Sequence, residues 1–158
     1  MLLQRVNRTN PEKVFIVAKN SWSTATLTNG QAVIWDYTTD ADGVGVTKPV
    51  DQTARAASVG TAFAGIAAES IAPGEYGLLQ VYGYHSAVRV RSNTGGEPAV
   101  VAGTALTQKN NVFALESADP CPETTSTTTV VNFEWCGFAL AGQALFTTAA
   151  IAVFIKAL

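Results

Sequence analysis

Residues 86–91 read SAVRVR, with Val88 and Val90 on one side and Arg89 and Arg91 on the other. Strict alternation with a period of two marks a strand that buries one face. Nowhere does the chain show sustained helical spacing. Short apolar runs are instead separated by clusters of Gly, Pro, Asn, Asp and Thr, the pattern of an all-β domain.

Residues 14–18, VFIVA, form the first predicted strand. Residues 24–27 and 32–35 follow as two more, joined through Asn29-Gly30 as a tight hairpin, because both turn residues tolerate positive φ. Residues 37–45 read as a loop. The small-residue stretch 53–69 contains enough alanine for a short helix, but its β-branched residues, Gly60 and Gly65 oppose a long one; residues 63–67 read as a strand. Ala72-Pro73-Gly74-Glu75 is a turn, and residues 76–84 and 86–91 follow as strands. Asn93-Thr94-Gly95-Gly96 reads as another turn. Residues 100–102, 112–115, 130–138 and 149–155 complete the strands, with a polar turn at 107–111 and a threonine-rich loop at 119–129. Some eight to ten short strands predict a small β-sandwich or open β-barrel. The expected organisation is an extended N-terminal arm over 1–13 and a single β-rich domain over 14–158. No repeat at a fixed period is visible.

His85 is the single histidine, and Tyr76, Tyr82, Tyr84 and Glu75 lie close to it in sequence. That grouping invites an acid–base reading, which alternation weakens: Tyr84 and His85 point to opposite faces of a strand. The expected place for His85 is a strand end near the surface or a subunit seam. Gly83 is expected to admit a neighbouring backbone or ring. No G-x-S-x-G nucleophile elbow is present, and two cysteines with one histidine do not make a four-ligand zinc site. The carboxylates Asp36, Asp40, Asp42, Glu69, Glu75, Glu97 and Glu116 are scattered through turns. Asp40-Ala41-Asp42-Gly43 lacks the acidic first position and closing glutamate of a calcium loop, and Gly43-Val44-Gly45 is too short for a phosphate cradle. These observations predict no enzyme, no cofactor and no metal.

The residues MLLQRVNRTN lack the long apolar core and small-residue cleavage site of a secretory signal, so Cys121 and Cys136 are expected as free thiols. A disulfide between them would close a loop of about 15 residues and contribute about 3 kcal/mol. Residues 138–158 are apolar enough to raise a membrane question. Gly142, Gln143, Thr147 and Thr148 interrupt them, and residues 149–155 suit a buried strand.

Charge adds a second constraint. Only 14% of residues are charged, against about 25% in an ordinary soluble domain, so part of the surface is expected to be covered by a partner or by further copies. The net charge of −2 shows no general affinity for nucleic acid. Arg5, Arg8, Lys13 and Lys19 face only Glu12 in the first segment, which leaves six basic and eleven acidic residues elsewhere. A basic arm on an acidic body is a candidate interaction element. Trp22, Trp35 and Trp135 lie in or beside strands and suit packing.

One order of features has a known counterpart. Phe63-Ala64-Gly65-Ile66-Ala67 leads into Ile71-Ala72-Pro73-Gly74-Glu75-Tyr76-Gly77, then Leu79-Gln80-Val81-Tyr82-Gly83. This series resembles the head decoration, or capsid cement, proteins of tailed bacteriophages, in which a comparable A-G-I-A, A-x-G-E-x-G, V-x-G pattern recurs. The match covers mainly residues 60–92. It implies a β-rich structural virion protein, trimeric, on the outer surface of the capsid and assembled in the host cytoplasm. Its partners would be the major capsid protein, bridged at neighbouring subunits, and its own copies as a homotrimer, with no nucleic acid or membrane. The resemblance carries no catalytic residues. An arm role falls by position to residues 1–13, making Leu2, Leu3, Arg5, Arg8 and Lys13 the capsid-binding candidates. The competing readings are another virion component, such as a head fibre base or minor tail protein, and a carbohydrate-binding β-sandwich using Trp22 and Trp35.

Overall fold

Nine strands form among the described residues of the computed structural model, which are 12–36, 40, 43–48, 63–91, 100–108, 114–117, 136–143 and 147–157. They are β1 (Lys13–Asn20), β2 (Ala32–Trp35), β3 (Gly45–Thr47), β4 (Phe63–Ala67), β5 (Tyr76–Arg91), β6 (Ala105–Gln108), β7 (Leu115–Ser117), β8 (Gly137–Ala139) and β9 (Thr148–Lys156). The all-β reading holds, and no described residue is helical.

Several local expectations give way to longer-range pairing. Residues 76–84 and 86–91 form one 16-residue strand, because a bulge between His85 and Val88 absorbs the break in alternation. Asn29-Gly30 does turn, with the Gln31 N–H donating to the Thr28 carbonyl at 3.1 Å. It does not join a hairpin: Leu27 makes a single bridge to Ile71, while β2 pairs with β3 and β4. Gly45 leaves the predicted loop to open β3. Residues 100–102 lead into a turn instead of forming a strand, and Thr107 and Gln108 leave the predicted turn for β6. Residues 93–96 and 119–129 lie outside the described residues, as does Cys121; Cys136 is buried.

The strands close on themselves twice. One circuit runs β1-β3-β2-β4-β5 and returns to β1; the other runs β5-β7-β6-β8-β9 and returns to β5. β5 belongs to both, pairing through its first half with β1 and β4 and through its second with β9 and β7. A closed ring of five strands cannot be antiparallel throughout, since each antiparallel step reverses direction. Each circuit therefore contains one parallel step, β1–β3 in the first and β5–β7 in the second, and both are short ladders.

Adding four to each strand number of the first circuit gives the second, with every parallel or antiparallel sense preserved. The correspondence reaches single hydrogen bonds. Gly30 N–H donates to Ala67 O and Gly103 N–H to Ala139 O, both at 2.8 Å. Ala67 N–H donates to Gln31 O and Ala139 N–H to Thr104 O, again at 2.8 Å. The Gln31 side chain accepts from Thr28 N–H as Thr104 Oγ1 accepts from Val101 N–H. Gly65 (φ +147°) matches Gly137 (φ +152°), 72 residues later. The chain is thus a structural repeat of two five-strand modules sharing a strand, where the sequence shows no period. What persists is the backbone pattern and a few small residues, such as Gly-x-Ala at 30–32 and 103–105.

Two apolar clusters fill the modules. Ala18, Leu27, Val33, Val46, Ala64, Ala67, Ile71 and Leu79 form the first. Val88, Val90, Leu106, Leu115, Ile151, Val153 and Ile155 form most of the second, joined by Ala32, Phe63 and Ile66 from the first module. All five residues of β4 are therefore buried, since this strand has one module on each side. Full burial of each large side chain contributes about 1.5–3 kcal/mol.

Candidate functional site: an exposed apolar face

Burial of both faces of β4 contrasts with β1. Along KVFIVAKN the even positions turn inward, and Lys13, Phe15 and Val17 turn out. Phe15 is 42% exposed and Val17 62%. Val17 lies opposite Leu78 and Lys19 opposite Tyr76 on β5, and those partners are 40% and 60% exposed. Phe15, Val17, Leu78 and Tyr76 thus make one apolar face across two paired strands. The signal was present in the sequence: a run apolar at both odd and even positions has an outward apolar face as well as an inward one.

A second group stands on the β8–β9–β5 surface. Phe138 stacks on Phe154 with centroids 5.2 Å apart and ring planes at 13°. Tyr82 meets Phe154 edge-on, also at 5.2 Å. Phe138 and Tyr84 both lie opposite Phe154 in the ladders, and Lys13 Nζ sits 5.9 Å from the Tyr84 ring centre.

Of the residues expected to bind a partner, Lys13 opens β1 and reaches over Tyr84, while Leu2, Leu3, Arg5 and Arg8 lie outside the described residues. Trp22 carries Lys48 Nζ 4.8 Å from its ring centre, and Trp35 packs against the first cluster. Both are half-buried; Trp135 lies outside the described residues. Among the described residues no group of three His, Cys, Asp or Glu is placed to hold a metal ion, and no helix is long and apolar enough to cross a membrane. The apolar residues 149–155 lie within β9.

His85 departs from expectation. It is 6% exposed and lies within β5, because the Asn29-Gly30 turn covers it. Its Nδ1 accepts the Ala87 N–H at 3.1 Å, across the bulge. That acceptor role puts the proton of the neutral ring on Nε2, which donates to Asn29 Oδ1 at 3.1 Å. Beside it the Arg89 N–H donates to Gly30 O at 2.8 Å. The ring is therefore a joint between the first module's turn and the strand the modules share. Tyr84 points away from it, as alternation requires. Burial, and then the positive charge of Lys13, lower the His85 pKa below 6.5. The unfolded ring protonates near 6.5, so below that pH the unfolded state binds more protons and folding weakens. The melting temperature is expected not to vary with the titration of this group above about pH 6.5 and to fall as the pH drops from there through the folded-state value. His85→Gln should flatten that part of the curve, leaving the carboxylate-driven fall at lower pH. An unflattened curve would remove His85 as the cause.

Fold and surface together define an all-β chain of two fused strand circuits with an exposed apolar face. No family model matches it, and no curated protein matches it. Among solved structures it is similar to the N base of the head fibre gp8.5 in bacteriophage phi29, at 11% identity and a TM-score of 0.49, over 92% of this chain and 96% of that chain.

Proposed function

We propose that this chain is a structural virion protein that binds the outer surface of a phage capsid and stabilises it by bridging neighbouring major capsid subunits, as a homotrimer. The observation that carries the reading is the exposed apolar face of Phe15, Val17, Tyr76 and Leu78 on a chain poor in charge, since apolar surface of this kind marks contact with other protein. The resemblance of residues 60–92 to capsid cement proteins supplies the kind of partner. Those residues build β4, the Pro73-Gly74 turn and β5, the elements that hold the two modules together.

The mechanism is multivalent. A symmetric oligomer engages several capsid subunits at once, and linked contacts raise avidity without any one tight site. A protein that binds only the assembled lattice stabilises it by mass action. The N-terminal arm supplies the reach, with Leu2 and Leu3 meeting apolar pockets and Arg5 and Arg8 meeting acidic patches, while Lys13 adds a positive charge where the arm joins β1. Co-sedimentation with purified capsids before and after expansion tests this. The full chain should pellet with capsids, and a variant lacking residues 1–12 should fold and stay in the supernatant. Equal occupancy by the truncated chain would sink the arm's role. Binding by neither chain, with retention on fibre or tail assemblies, would move the protein elsewhere in the virion.

A further inference from the structure

Asn29 is the sole asparagine in the chain that is followed by glycine, and it carries one half of the joint between the modules. An asparagine side-chain amide is open to attack by the main-chain nitrogen of the next residue. Here the Gly30 nitrogen bonds to Asn29 Cγ, its proton passes through water to Nδ2, and Nδ2 leaves as ammonia. Water then opens the five-membered imide. Cleavage at Cγ leaves aspartate. Cleavage at the main-chain carbonyl carbon leaves isoaspartate, in which the chain runs through Cγ. One water is taken up and one ammonia lost, with no change in oxidation state. Glycine has no side chain to shield the attacking nitrogen.

The fold holds each participant in place. The Gly30 N–H donates to Ala67 O at 2.8 Å, so the nucleophile's proton faces another strand and not water. Gly30 O accepts the Arg89 N–H at 2.8 Å. A Cβ at Gly30 would collide with the Ala87 carbonyl oxygen, so the turn lies directly against β5. Asn29 Oδ1 accepts from His85 Nε2 at 3.1 Å, which fixes the carbonyl that must be attacked. Asn29 itself is exposed, so water reaches it. Ring closure requires the Gly30 nitrogen to turn toward Cγ, which breaks its bond to Ala67. Reaction therefore proceeds from the opened turn, at a rate set by the open fraction. Asn20 is the contrast within the chain. It also precedes a small residue, Ser21, but it is buried. Its Nδ2 donates to Ala25 O at 3.0 Å and to Ile71 O at 2.9 Å, and its Oδ1 accepts the Trp22 N–H at 3.0 Å. That amide is held at both ends and away from water.

We propose that Asn29 is a self-modification site governed by the His85 joint. The closed joint preserves the amide, the opened joint lets it lose ammonia, and the isoaspartate product uncouples the first module's turn from β5. The two products differ in effect. Aspartate keeps an oxygen for the His85 Nε2–H. Isoaspartate lengthens the main chain of the turn by one atom, and a turn pinned to Ala67 on one side and Arg89 on the other has no slack to take it up. The change is irreversible, and it depends on no partner of the chain.

Ageing of the full chain in mildly alkaline buffer tests it, with peptide mapping by mass spectrometry to follow Asn29 and Asn20. A synthetic peptide of residues 25–33 sets the unprotected rate. Asn29 in the folded chain should convert at least about tenfold more slowly than in the peptide, and the slowing should equal the protection of the Gly30 N–H from hydrogen exchange, since both report one opening. His85→Ala removes the bond to Oδ1 and should speed conversion about three- to tenfold, the effect of one hydrogen bond on the open fraction, while Asn20 stays intact. If Asn20 converts as well, that variant has lost its fold, and the Gly30 comparison in the wild type decides. The isoaspartate fraction, separated by ion exchange, should show faster exchange at the Arg89 N–H, whereas Asn29→Asp should keep the wild-type protection. Conversion as fast as in the peptide overturns the proposal. So does a slowing unrelated to Gly30 protection, a wild-type rate in a folded His85→Ala chain, or unchanged Arg89 exchange in the isoaspartate fraction.

Discussion

Gly83→Ala is expected to melt roughly 6–12 °C below the wild type, a loss of about 3 kcal/mol in a chain of this size. Gly83 has φ +97°, and a Cβ there would collide with the carbonyl oxygen of Glu12, just ahead of β1. Two costs add. An L residue at positive φ costs about 1–2 kcal/mol, and displacing a main-chain carbonyl at the start of a paired strand costs about as much again. Gly103→Ala separates them: Gly103 has φ +93° with open space where a Cβ would go. It should lose only the first amount. Equal losses in the two variants would show that the approach of Glu12 contributes nothing.

Ile66→Ala should be comparably damaging, at about 2–5 kcal/mol. Ile66 is fully buried on β4, a strand of the first circuit, yet it packs within the apolar cluster of the second. The cavity would open between the modules. Amide exchange should therefore accelerate at Leu79 and at Val153 together, one in each cluster, since residues that unfold in one cooperative unit share one opening free energy. Faster exchange confined to Leu79 would mean the modules unfold separately.

Much of this architecture is legible in the sequence. Alternation at SAVRVR, the Pro73-Gly74 turn and the Phe63–Ala67 strand all appear where local chemistry places them. The role of Gly83 as a point of close approach also holds. Misses occur where distant partners decide. Asn29-Gly30 makes its turn, but its flanking residues pair with Ile71, β3 and β4, to which no local rule points. His85 looks peripheral in sequence because the residue that buries it, Asn29, lies 56 positions away. The apolar face was readable in VFIVA, but only after asking what covers the second side of an all-apolar strand. The repeat was not readable: backbone hydrogen bonds carry it, and they constrain few side chains beyond glycine and alanine.

The sharing of β5 sets the kind of symmetry the chain has. Two modules related by a two-fold axis would face each other and finish. Here β9 stands to β5 as β5 stands to β1, so the operation that makes the second module from the first is a step forward along the chain. Such a step has no natural stopping point. A protein grown by one more module would find β9 already in place as its opening strand, and would need only four new strands to close a third ring.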